Sequence, residues 1–149
     1  MKTRHAFTLI EVLIVVIIMA ILAATIIPQF SSSATDAKKA GLDFDTHFIR
    51  SQIELYKGEH NGAVPAFARF VDQMTKVTDI KGNTTGSSTA LIYGPYIQGS
   101  FPTNQLADSG AVVRVATAGT APTAVVPGGA GWQYDETTGG FYPNNKEAY

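Results

Sequence analysis

Residues able to do chemistry are few in this chain, and most of them stand alone. Its three histidines are His5, His47 and His60, and no two of them have metal-ligand spacing. The 149 residues contain no cysteine, which excludes disulfides and any thiolate metal or redox site. Serines are numerous, yet none occupies a G-x-S-x-G elbow. The glycine-rich VPGGAGW at 126–132 has neither a lysine nor a helical pattern after it, so it reads as a turn before a strand rather than a phosphate loop. Two features keep alternatives open. Trp132, Tyr134, Phe141 and Tyr142 form either a stacking platform for a ligand or the core of a hairpin packed on a helix. The adjacent Asp135 and Glu136 offer carboxylate oxygens to calcium, or are solvated beside a turn. No catalytic constellation emerges, and the chain reads as a non-enzyme.

Glu11 is the ionisable residue that demands an explanation. It interrupts an apolar stretch in MKTRHAFTLIEVLIVVIIMAILAATIIPQF. A carboxylate there is costly in lipid, so it needs a partner or a purpose. Val12–Ile27 is apolar but for Thr25. A helix from Phe7 to Ile27 would rise roughly 30 Å, about one hydrocarbon core. Lys2 and Arg4 precede the apolar run, and no further Lys or Arg follows until Lys38. That asymmetry orients a single span with its N-terminus in the cytoplasm. A cleaved secretory signal is the competing reading, but the apolar run is longer than an h-region needs. The formal net charge of −1 gives no sign of a polyanion-binding surface, and no nucleic-acid partner is expected.

Behind Glu11 the elements follow from periodicity. Pro28 bends or locally loosens the helix, because it lacks an N–H and crowds the preceding turn. The helical pattern then resumes, with Phe30, Ala34, Ala37, Gly41, Phe44, Phe48 and Leu55 close to one line and Leu42, Ile49, Ile53 and Tyr56 widening it. Asp36, Lys39, Asp43, His47, Arg50, Glu54 and Lys57 form a solvated face, with Arg50 and Glu54 four apart and Glu54 and Lys57 three apart. His60–Gly62 followed by Pro65 stops the helix, and His47 and His60 read as surface or helix-end residues. The expected helix therefore runs from Phe7 to Glu59, roughly 80 Å if straight. A short helix is expected over 66–76, and strands over Ala111–Thr117 and Thr123–Val126. Trp132 and Tyr134 lead through a TTGG turn into Phe141–Tyr142 as a hairpin.

The stretch RHAFTLIEVLIVVIIMAILAATIIPQF closely resembles the N-terminus of type IV prepilins and type II secretion pseudopilins. The shared pattern is a short basic leader, a small residue, FTLIE, and a long apolar helix with a proline after about three heptads. More loosely, YKGEHNGAVP at 56–65 is similar to the helix exit of the major, G-type pseudopilins. The resemblance implies an α+β, pilin-like fold, with a long N-terminal helix packed on a small antiparallel sheet. It divides the chain into a leader at 1–6, a transmembrane and assembly helix at 7–28, the amphipathic half of the same helix at 29–62, and a periplasmic globular domain at 63–149.

The same resemblance implies cleavage between Ala6 and Phe7 by a prepilin peptidase, followed by N-methylation of Phe7. Glu11 would pair with the Phe7 amine of a neighbouring subunit, and Pro28 would let the helix bend in a filament. Implied partners are further copies in a homo-oligomeric filament, minor pseudopilins, an inner-membrane assembly platform and a separate cytoplasmic ATPase. The implied location is the bacterial inner membrane as a single-pass protein with a periplasmic C-terminal domain, then a periplasmic filament. The implied function is a structural subunit of the pseudopilus of type II secretion. The alternatives are a type IV pilin of a surface pilus and, from another class, a membrane-tethered binding domain or enzyme. No cofactor is implied; calcium stays open, and no metal ligand is assigned. The family usually has Gly where this chain has Ala6, and its C-terminal disulfide loop is absent here.

Overall fold

The computed structural model describes residues 7–87 and 89–145, the side chains of Pro28 and Ser31 excepted. One long helix, α1 (Leu9–Glu59), is followed by a 3-10 turn (Phe67–Arg69), a short helix α2 (Phe70–Thr75), and strands β1 (Val112–Arg114), β2 (Trp132–Asp135) and β3 (Gly140–Pro143). The chain forms two compact units, Met1–Ala37 and Lys38–Tyr149.

In the first unit, α1 is long and apolar enough to cross a membrane by length and composition. Its side chains from Leu9 to Ile27 are exposed, as lipid-facing residues must be. The polar residues of this stretch look after themselves. Thr25 Oγ1 donates to the carbonyls of Ile21 (2.9 Å) and Leu22 (3.1 Å). Ser32 and Ser33 both return to the Gln29 carbonyl at 2.9 Å. Such back-bonding removes the cost of a free hydroxyl in an apolar medium. Helical backbone continues through Pro28.

In the second unit, the continuation of α1 buries Leu42, Thr46, Ile49, Ile53 and Tyr56, and His60 just past its end joins them, at spacings alternating between four and three. The expected central line lies elsewhere: Phe44 is 70% and Leu55 49% exposed. The reason lies in two polar residues whose hydrogen bonds make them buriable. Thr46 Oγ1 donates to the Leu42 carbonyl at 2.7 Å, and the His60 ring is bonded on both nitrogens. The stripe through Ile49 and Ile53 therefore becomes the core face. Arg50 also departs from expectation. Its Nε donates to the Phe141 carbonyl at 2.8 Å and its guanidinium lies 5.2 Å from the Tyr142 ring centre, while Glu54 takes its other expected partner, Lys57. The helix ends where expected. Asn61 takes a left-handed conformation (φ 55°), and the Gly62 N–H closes onto the Lys57 carbonyl at 2.8 Å.

The sheet has order β1-β2-β3 and is mixed rather than antiparallel. β2 and β3 form the expected antiparallel hairpin, with Tyr134 opposite Phe141. β1 pairs with β2 in parallel, Val113 opposite Gln133, because a long irregular excursion carries the chain back before β2 begins. Thr123–Val126 belongs to that excursion and is not a strand. Its ladder groups are taken by a side chain: Val126 N–H donates to Asn144 Oδ1 at 2.8 Å, and Asn144 Nδ2 donates to the Val126 carbonyl at 3.0 Å. The expected strand over Ala111–Thr117 shortens to Val112–Arg114.

Candidate functional site

The start of α1 is where the sequence concentrates its unusual residues. Phe7 lies two residues before Leu9 and is 86% exposed. Thr8 occupies the N-cap position and Glu11 the third helical position. The Thr8 N–H and the Thr8 hydroxyl both donate to Glu11 Oε2 at 2.8 Å, and the Glu11 N–H donates to Thr8 Oγ1 at 3.3 Å. This reciprocal pair is a capping box, which satisfies helix-start N–H groups that lipid would leave without partners. The carboxylate also lies at the positive end of the helix dipole. Glu11 Oε1 makes no hydrogen bond among the described residues.

Glu11 is thus not the solitary charge that the sequence reading made of it. Half of its bonding capacity serves its own helix, and the T-x-x-E spacing of Thr8 and Glu11 is the signal that could have revealed this. Of the other residues expected at the site, Ala6 lies outside the described residues. Pro28 falls within the helical backbone of α1, far along the chain from Glu11.

The other candidates turn out to be structural. Trp132, Tyr134 and Phe141 are fully buried and pack with Phe70, so they are core and not a stacking platform. Ring centres lie 4.2 Å apart for Phe70–Tyr134 and 5.1 Å for Trp132–Phe141. Their polar ends are anchored: Trp132 Nε1 donates to the Pro102 carbonyl (2.9 Å) and the Tyr134 hydroxyl to the Pro65 carbonyl (2.7 Å). Burial, followed by the nearby Glu136 charge, pushes the Tyr134 hydroxyl up.

Asp135 is buried rather than solvated. It accepts the N–H of Thr137 (2.9 Å) and of Gly119 (2.7 Å) and the Thr138 hydroxyl (2.9 Å). Burial alone would raise its carboxyl, but these donors outweigh burial and hold it below the ordinary aspartate value. Glu136 pairs with Arg114 at 2.8 Å and accepts the Phe67 N–H at 3.0 Å. Among the described residues, no three His, Asp or Glu side chains converge as metal ligands would.

His47 is exposed, as a surface residue; His60 stands at the helix end, directly after Glu59, but is buried there. Its ring stacks on Tyr56 at 3.8 Å, with Nδ1 2.9 Å from the Tyr56 carbonyl and Nε2 3.0 Å from that of Asp79. Tyr96 closes this cluster by donating to Glu59 at 2.6 Å, and burial followed by that bond pushes its hydroxyl up.

Comparison with known proteins bears on the same segment. The prokaryotic N-terminal methylation motif matches residues 1–27, which include Phe7, Thr8 and Glu11. The type II secretion system core protein G of Pseudomonas aeruginosa is 33% identical over 75 residues, 50% of this chain and 52% of that relative. The chain therefore spans about half the length of the relative it matches. No solved structure matches. A methylation motif laid over a capped apolar helix, together with similarity to this relative over half of each chain, supports a pilin-like subunit.

Proposed function

We propose that this chain is a structural subunit of the periplasmic pseudopilus of type II protein secretion. The observation that carries the reading is Glu11 at the start of the apolar helix, with Oε2 engaged by Thr8 and Oε1 open among the described residues. Cleavage between Ala6 and Phe7 by a prepilin peptidase would create a new α-amine at Phe7, then methylated. In hydrocarbon a free ammonium and a half-partnered carboxylate are both costly. Two copies packed side by side with a stagger satisfy both, the Phe7 amine of one meeting Glu11 Oε1 of the other. Removing one member strands the other charge, so the pair sets subunit register.

In this reading the chain sits in the inner membrane with its N-terminus cytoplasmic and its globular domain periplasmic, then leaves the membrane to join the filament. Minor pseudopilins, an assembly platform and a separate ATPase supply initiation and work, and the subunit does no chemistry of its own. The similarity to a type II secretion core protein supports this system over a surface pilus. The test is Glu11→Ala in the full chain. The variant is expected to remain in the membrane at wild-type level while filament yield collapses; wild-type filament yield would contradict the pairing.

A further inference from the structure

The water-facing part of α1 carries a second apolar surface that its own globular unit does not cover. Phe44, 70% exposed, and Phe48 lie one turn apart with parallel rings, centroids 6.4 Å apart. With Ile97 and Pro102 they border a groove of about 490 Å³. Asp45 lines the same groove and is half-buried, yet it makes no hydrogen bond or ion pair among the described residues. Burial holds its carboxyl above the ordinary aspartate value, the mark of a desolvated group without a compensating donor. A carboxylate lining the same groove as two aromatic rings suits a long cationic side chain: the ammonium meets the acid while the alkyl stem covers the rings.

The chain itself supplies such a cation. Lys38 is exposed and makes no ion pair among the described residues. It precedes Asp45 by seven residues, two helical turns, so both lie on nearly the same face of α1. A second copy lying parallel and displaced by roughly 10 Å toward the C-terminal end of the helix brings its Lys38 level with Asp45. The displacement has the same sign as the one that brings a neighbour's Phe7 amine to Glu11, which needs roughly 6 Å. The flexible four-carbon stem of lysine spans the difference.

Resting on the reading of the chain as a filament subunit, we propose that the Phe44–Phe48 groove docks a second copy of this chain, with Asp45 receiving that copy's Lys38. The test uses the full-length chain in its membrane. Asp45→Lys and Lys38→Glu are each expected to lower filament yield about tenfold, as expected for reversing one charge of a half-buried pair. The double exchange is expected to restore it. Single variants that assemble like wild type, or a double variant no better than the singles, would overturn the pair. Benzoylphenylalanine in place of the exposed Phe44 gives a readout that leaves both charges intact. An adduct to the α1 segment around Lys38 of another copy is expected; no adduct, or one to a different protein, would overturn the proposal. Glu11→Ala run alongside separates the two readings. If it blocks filaments while Asp45→Lys does not, only the docking proposal falls; if both variants assemble normally, the Glu11 pairing falls with it, and a wild-type chain that forms no filament removes the filament reading itself.

Discussion

A carboxylate near the end of a membrane helix can be explained locally or by a neighbour, and Glu11 takes part of each explanation. Thr8 claims one oxygen for the helix start, which fixes the direction in which the other oxygen points. Thr8 is thus a positioning residue. Thr8→Val keeps the shape and removes the hydroxyl. It is expected to speed hydrogen exchange in the first turn of α1 several-fold and to lower filament yield partially, less than Glu11→Ala does. Equal loss from both variants would assign the defect to the cap alone. The N-terminal chemistry has its own check. Chain recovered from filaments is expected to have the mass of a product beginning at methylated Phe7, and retained Met1 would refute the processing step. The T-x-x-E spacing of Thr8 and Glu11 is legible in the sequence, whereas the split of the Glu11 oxygens between its own helix and open space is visible only in the structure.

At the scale of elements, polar residues decided what the sequence could reveal. Periodicity located α1 to within two residues at its start and at its final residue Glu59, because length, apolar content and the HNG stop all agree. It misplaced the centre of the buried face by passing over Thr46 and reading His60 as a surface or helix-end residue, when local and long-range bonds make both buriable. Asn144 is a second instance. Its side chain holds both ladder groups of Val126, and nothing in the sequence near Val126 announces a partner eighteen residues away. The hairpin was legible from TTGG and its aromatic residues, whereas the parallel pairing of β1 depends on a chain path that no local pattern encodes. Truncating the buried aromatic core should be severe: Trp132→Ala is expected to cost about 3–5 kcal/mol in a thermal or denaturant melt.

The turn at Asp135 gives a prediction with a definite sign. Its folded carboxyl is held below the ordinary aspartate value of 3.8, so it stabilises the folded state above that pH, and the contribution is lost as pH falls through the lower folded value. Melting temperature should therefore drop as pH is lowered below about 4, and Asp135→Ala should flatten that acid limb; an unchanged limb in the variant would deny Asp135 the role. Because Asp135 and Glu136 are both engaged by protein donors, chelating calcium is expected to shift the melting temperature by no more than about 1 °C. A fall of several degrees on chelation would reinstate these acids as ligands.

For the molecule as a whole, division of labour follows from where apolar surface is left. Among the described residues, the first unit exposes its apolar side chains, whereas the second buries its own around Ile49, Ile53, Phe70, Trp132, Tyr134 and Phe141. On the proposed function, such a chain would meet two solvents in turn, lipid before assembly and the flanks of its copies afterwards. The decisive measurement is export by a strain lacking this chain, with the wild-type copy restored as control. The predicted result is loss of export of a folded secreted enzyme with surface pili and twitching intact. Intact export together with lost pili would contradict the assignment to secretion.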